Sequence, residues 1–205
     1  MIILCRSVKG GSGTTVSSAA LGLLLAARHR GGGYIIDLNG DLPAALGLPE
    51  PVGATACEVN SALSLLPRPM TAEATEMQWL SLATEISSLN GPVVVDLGTL
   101  NPGKPLVDAA TAMYLVTRPC YLALRRATSL LAHGASGIDG CILVEEPGRA
   151  LTSKDIEIVL RVPVVAALPL DSAVARAVDA GLLASRVPKS HDDGHADLIT
   201  THTNQ

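Results

Sequence analysis

The sequence predicts a single α/β domain in three layers, with a mostly parallel sheet between two layers of helices. Three observations carry this expectation. Apolar, β-branched runs alternate with helical patterns along the 205 residues, which is the rhythm of βα units. Several runs are apolar at consecutive positions, as strands covered on both faces tend to be. The first run also leads through a glycine-rich stretch, "KGGSGTT", into a long apolar helical pattern.

The strands expected in order are "IILCRSV", "GYIID", "VVVDLG", "MYLVT", "CILVE" and "VVAALP". Between the first two, Val16, Ala19, Ala20, Leu23, Leu24 and Ala27 recur at intervals of three and four, so one face of a helix lies on the sheet. The stretch "LPEPVGATACEVNSALSLLPRPM" holds four prolines and reads as a surface excursion of loops and a short helix. Trp79, Leu82, Ala83, Ile86 and Leu89 form a second helical stripe. Thr152 followed by Asp155 has the spacing of a capping box, with Ile156, Val159 and Leu160 as the buried stripe of the helix that it starts, and Asp171 is placed to cap the segment after the last strand. Residues 188–205 are polar and without a repeat, and read as a loose tail.

Composition narrows the function classes. Apolar residues make up 48% of the chain, but the longest apolar stretch, "AALGLLLAA", is about half of the roughly 20 residues that a spanning helix needs. No membrane insertion is expected, and the absence of an export signal points to the cytoplasm. Cys5, Cys57, Cys120 and Cys141 form no CxxC pair, so they read as small apolar residues rather than zinc ligands or disulfides. A net charge of −4 does not favour broad attraction to DNA. "HDDGHAD" places His191 and His195 four residues apart among carboxylates, but Gly194 and the polar surroundings suit a tail better than a metal site.

The glycine-rich stretch carries the chemistry. Amide groups of Gly10, Gly11, Ser12, Gly13, Thr14 and Thr15, backed by the positive end of the following helix, suit an anion without help from a side chain. A phosphate-binding loop ordinarily adds a lysine for the terminal phosphates and then a hydroxyl for Mg²⁺. Thr14 occupies the lysine's place, and Thr15 is in register for the second role. Asp37 and Asp96 end strands at the edge where open α/β sheets bind ligands; loop solvation or helix capping is the simpler role for both.

"KGGSGTT" resembles the deviant Walker A loop, KGGxGKT, of the ParA and MinD family of partitioning and positioning ATPases. "YIIDLNGDLPAALGLPEP", "GPVVVDLGTL", "MYLVTRPCYLALRRA" and "VPVVAALPLDSAVARAVDAGLLA" look like later parts of the same family, so the likeness covers residues 1–187. It implies a P-loop NTPase fold, ATP and Mg²⁺ as cofactors, and a homodimer that engages a protein partner. Lys9 would be the signature lysine that reaches the partner's nucleotide. Asp37 would position the attacking water, and Asp96 would support the metal through its water shell, with Thr15 as the direct ligand.

Three departures weaken that implication. Thr14 removes a charge-assisted bond of about 1.5 to 3 kcal/mol. Asn39 stands where the family often has a second acid. "ILVEEPG" lacks the asparagine that reads adenine and carries Glu145 and Glu146 instead. Arg118 or Lys9 could substitute for the missing charge, although Arg118 also reads as a plain loop residue; Arg125 and Arg126 read as an exposed helix face. The expectation is a degenerate relative with weak or absent ATP binding and hydrolysis, serving as an interaction module, with a slight leaning toward the pilus-assembly type. The alternative is an active, dimerising Mg·ATP switch.

Overall fold

The computed structural model describes residues 1–132 and 137–186. The elements are β1 (Ile2–Arg6), α1 (Thr14–Arg28), β2 (Gly33–Asp37), α2 (Leu42–Leu46), β3 (Cys57–Glu58), β4 (Leu63–Pro67), α3 (Glu76–Ser87), β5 (Val93–Gly98), α4 (Lys104–Ala109), β6 (Ala112–Thr117), α5 (Tyr121–Ala132), β7 (Gly140–Glu145), α6 (Ser153–Leu160), β8 (Val164–Pro169), α7 (Ser172–Asp179) and α8 (Leu183–Arg186). The eight strands form one sheet in the order β3-β4-β2-β5-β1-β6-β7-β8. All neighbours run parallel except β3, which pairs antiparallel with β4. The three-layer α/β expectation therefore holds.

Alternation along the strands divides the core between the two faces. Ile3 and Cys5 of β1 pack with α1, α2 and α8, around Leu23, Leu42, Leu46 and Leu183. Ile2 and Leu4 face the other way, onto Trp79, Leu82 and Ile86 of α3 and Leu106 of α4. Farther along that second face, Leu115, Cys141 and Leu143 meet Leu124 of α5 and Ile156 of α6. The all-buried pattern of β1, and of β5 except for its last residue, is what a strand between two helix layers requires.

Two expectations are corrected. The proline-rich stretch holds β3 and β4, and β4 is a full sheet member, with Leu63, Leu65 and Leu66 buried beside β2. Pro67 ends it, where a lost N–H does no harm, so the proline marks a boundary and not an absence of strand. The buried face of α1 is also rotated from the apolar stripe: Ser17, Ser18, Ala19, Gly22, Leu23 and Ala26 are covered, whereas Ala27 is exposed. Small side chains let α1 lie close on β2, where Gly22 packs against Ile35.

The helix starts follow the sequence more closely. Thr152 Oγ accepts from Asp155 N at 3.3 Å, and an Asp155 carboxylate oxygen accepts from Thr152 N at 2.8 Å. Asp171 accepts from Ala173 N at 2.7 Å. Thr75 and Gln78 form a second capping box on α3, and Ile156 and Leu160 are buried on α6 while Val159 is exposed. Arg68, just past β4, is held by Glu85 of α3, with Nε 3.0 Å from each carboxylate oxygen. The C-terminal helices close over α2: Gly47 (φ +74°) lies so near Gly181 that a Cβ on it would stand 1.7 Å from the Gly181 carbonyl oxygen.

All four cysteines are free, and Cys5 and Cys141 are buried. Among the described residues no helix is long and apolar enough to cross a membrane. The polar tail and its histidines lie outside the described residues.

Candidate functional site

The loop from β1 to α1 takes its shape from glycine and two hydroxyls. Gly11 and Gly13 have φ of +73° and +91°, a region that side-chain-bearing residues rarely enter. Gly13 is the N-cap of α1, and Ser17 N bonds back to its carbonyl at 2.9 Å. The amides of Thr14, Thr15 and Val16 thus precede the first intrahelical bond, and they give the loop a positive end. Ser12 Oγ donates to Lys9 O at 2.9 Å, and Ser7 Oγ donates to Lys9 O at 3.0 Å and Gly98 O at 3.1 Å. The loop is therefore built from within and tied to β5, and Gly10 and Gly11 have open space beside them.

Thr14 is buried at 6% exposure and so cannot stand in for a long cation. Thr15, one residue on, is half-buried beside the Asp96 carboxylate. Lys9 folds back on its own loop, with Nζ 3.3 Å from Gly10 O. The contact is exposed, so little holds the side chain there.

Asp37, the last residue of β2, and Asp96, two residues before the end of β5, lie on adjacent strands in register with each other. Asp37 is buried and accepts three backbone N–H bonds, from Asn39 at 3.0 Å, Gly40 at 2.8 Å and Leu42 at 3.1 Å. It thereby fixes the turn that leads into α2. The Asn39 side chain sits over Gly98 and donates to Asp96 O at 3.1 Å. Asp96 is fully buried; one carboxylate oxygen accepts from Gly98 N at 3.0 Å, and Oδ2 has no hydrogen-bond partner among the described residues. Burial pushes its pKa up to about 6 against the Gly98 amide and the Thr15 hydroxyl, and the charges of Asp37 and Asp41 raise it further. A buried carboxylate short of a partner, beside a hydroxyl, suits a hard cation. No three His, Cys, Asp or Glu side chains converge as a closed metal site among the described residues, so such an ion would need oxygens from a ligand and water.

On the other flank, Arg118 after β6 donates to Glu146 after β7 at 2.8 Å, and Arg149 holds the same carboxylate. Burial raises the Glu146 pKa, but the two arginines outweigh it and leave the group below the usual carboxylate range. Glu146, one of the two acids that follow the apolar run of β7, is thus neutralised, and Arg118 is engaged. Cys120, at the start of α5, has its pKa lowered by the Ala123 and Leu122 amides and also by the charges of Lys9 and Arg149, which places these loops at one edge. Arg125 and Arg126 are exposed, as expected. A cavity of about 330 Å³ between α5 and α6, lined by Thr128, Leu131 and Val159, opens near the C-terminal ends of those helices and takes no part in this site.

The assembled edge is a glycine cradle after the central strand, with a buried carboxylate on the next strand. Its architecture is matched by a ParA family ATPase from Chlorobium tepidum TLS, with a TM-score of 0.75, 21% identity and cover of 92% of this chain and 93% of that one. The fold is that of the ParA and MinD ATPases. The septum site-determining protein MinD complexed with Mg-ADP, from Pyrococcus horikoshii OT3, superposes with a TM-score of 0.75 at 19% identity, covering 92% of this chain and 89% of its own. McdA from Cyanothece, as a variant complexed with ATP, gives 0.68 at 17% identity, covering 96% and 91%. No protein-family model matches the sequence, and none of the curated proteins does. The ParA/MinD fold thus coincides with the resemblance read from the loop.

One residue of this ParA/MinD-like edge escapes the sequence reading. Arg6, the last residue of β1, is only 4% exposed, and its Nε lacks a hydrogen-bond partner. Its signal in the sequence is a lone charge inside the apolar run "IILCRSV".

Proposed function

We propose that the protein is a ParA/MinD-like positioning or partitioning factor whose nucleotide site is degenerate: it binds nucleotide weakly, hydrolyses it slowly or not at all, and acts as an interaction module. The observation that carries this reading is the contrast within one loop. The backbone cradle is built and buttressed, but the position that should bring charge to the phosphates holds a buried threonine. Known structures of the same fold support the ligand class, since one holds Mg-ADP and another ATP. A further one is a MinC:MinD complex from Aquifex aeolicus, which supports work through a protein partner.

Within this reading, the amides of residues 10–15 cradle the phosphates. Thr15 and, through water, Asp96 would hold Mg²⁺, which when bound would screen phosphate charge. Lys9, lightly held on Gly10 O, is free to swing toward the nucleotide of a second copy in a homodimer. Asp37 orients a water only if it gives up some of its backbone bonds, which fits slow hydrolysis. Residues 1–187 form the working domain.

The test is calorimetric titration of Mg·ATP into the natural chain and into Thr14→Lys. Weak or undetectable binding is expected for the natural chain, and about 10- to 100-fold tighter binding for the variant. Tight binding by the natural chain that Thr14→Lys leaves unchanged would favour the active switch.

A further inference from the structure

Arg6 is a buried cation without a counter-charge. Among the described residues its side chain makes no ion pair and no hydrogen bond. Strand alternation explains the isolation. Cys5 faces α1 and Asp96 lies opposite it in register, so Arg6 projects to the other side of the sheet. There its register neighbours are Gly98 on β5 and Leu115 on β6, neither of which carries charge. Burial alone moves its pKa, downward, with no carboxylate opposing it. Arginine does not shed its proton in proteins, so a guanidinium in this position carries a desolvation cost that nothing in the chain offsets.

The position of the residue indicates what would offset it. Arg6 ends the strand that carries the glycine loop, at the carboxyl edge where open α/β sheets take ligands. Ser7, next to it, ties the loop to Gly98. Arg118 and Arg149 are both neutralised by Glu146, and Thr14 brings no charge.

We propose that Arg6 is an anion-binding residue of this edge: its guanidinium receives a phosphate-type oxyanion, from a nucleotide or as free inorganic phosphate, and supplies the positive charge absent at position 14. The inference rests on reading the glycine loop as an anion cradle. It assigns the weak affinity of that cradle to a residue from the opposite side of the sheet.

The test is titration of inorganic phosphate, and separately of Mg·ATP, into the natural chain, Arg6→Met and Thr14→Lys, with thermal melting of each. Arg6→Met should melt at a higher temperature without ligand and bind the anion at least about tenfold more weakly. The Arg6 Nε–H resonance of the natural chain should shift as the anion is added, a readout that requires no variant. Response to phosphate alone assigns a free oxyanion, and response to Mg·ATP alone assigns the nucleotide. Unchanged anion affinity in Arg6→Met, or an Arg6 resonance that stays in place while the natural chain binds, overturns the Arg6 role and leaves the cradle standing. If only Thr14→Lys binds, the Arg6 role falls and the degenerate-site reading is retained. If no anion binds any of the three proteins, both fall.

Discussion

Asp96 sets the pH behaviour expected of the ligand-free protein. Its pKa is raised from 3.8 to about 6 in the fold, so the folded chain holds the proton more tightly than the unfolded chain does. The contribution of this group is most favourable below the unfolded value; it is lost as pH rises toward about 6 and stays lost above it. Asp96→Asn should remove that slope and stabilise the protein at neutral pH by about 1 to 3 kcal/mol, as measured by urea denaturation between about pH 4 and pH 8. A carboxylate kept at such a cost fits a cation or ligand site better than a purely structural position. Asp37 differs, because three backbone donors satisfy it and its first task is the turn. The cradle could be read from the sequence because glycines record backbone conformation directly. Arg6 could not, since the absence of a counter-charge depends on which faces β5 and β6 present to it.

At the scale of elements, the strands written as unbroken apolar runs match the fold nearly residue for residue: Gly33–Asp37, Val93–Gly98 and Val164–Pro169 have the expected bounds. The same logic passed over Leu63–Pro67, because a five-residue run with a proline at its end is as compatible with a loop as with an edge. The face of α1 was misjudged for a related reason. Counting only large apolar residues overlooks Ser17, Ser18 and Gly22, whose small size is what brings the helix onto the sheet. Caps are more legible, since they depend on two residues at fixed spacing. Thr152→Ala should therefore cost about 1 kcal/mol in equilibrium unfolding, because the Asp155 amide would lose its only cap while the chain keeps its fold.

At the scale of the molecule, the alternation of strand and helix foretells a parallel sheet. It does not foretell the strand order, which depends on contacts distant in sequence. The meeting of Gly47 with Gly181 is one such contact. Gly47→Ala should destabilise the protein by more than about 2 kcal/mol, since it combines strain at positive φ with a backbone collision. Gly40→Ala, at φ +86° with nothing within 4 Å, should cost only the strain of about 1 to 2 kcal/mol. Similar losses for the two variants in a denaturant series would show that the collision relaxes away.

That junction links the C-terminal helices to α2. Asp37 grips the amide of Leu42, α2 runs from Leu42 to Leu46, and Gly181 and Leu183 press on its far end. A shift of the C-terminal helices would therefore bear on the Asp37 turn through the five residues of α2, as well as through the sheet face on which α2 and α8 both rest.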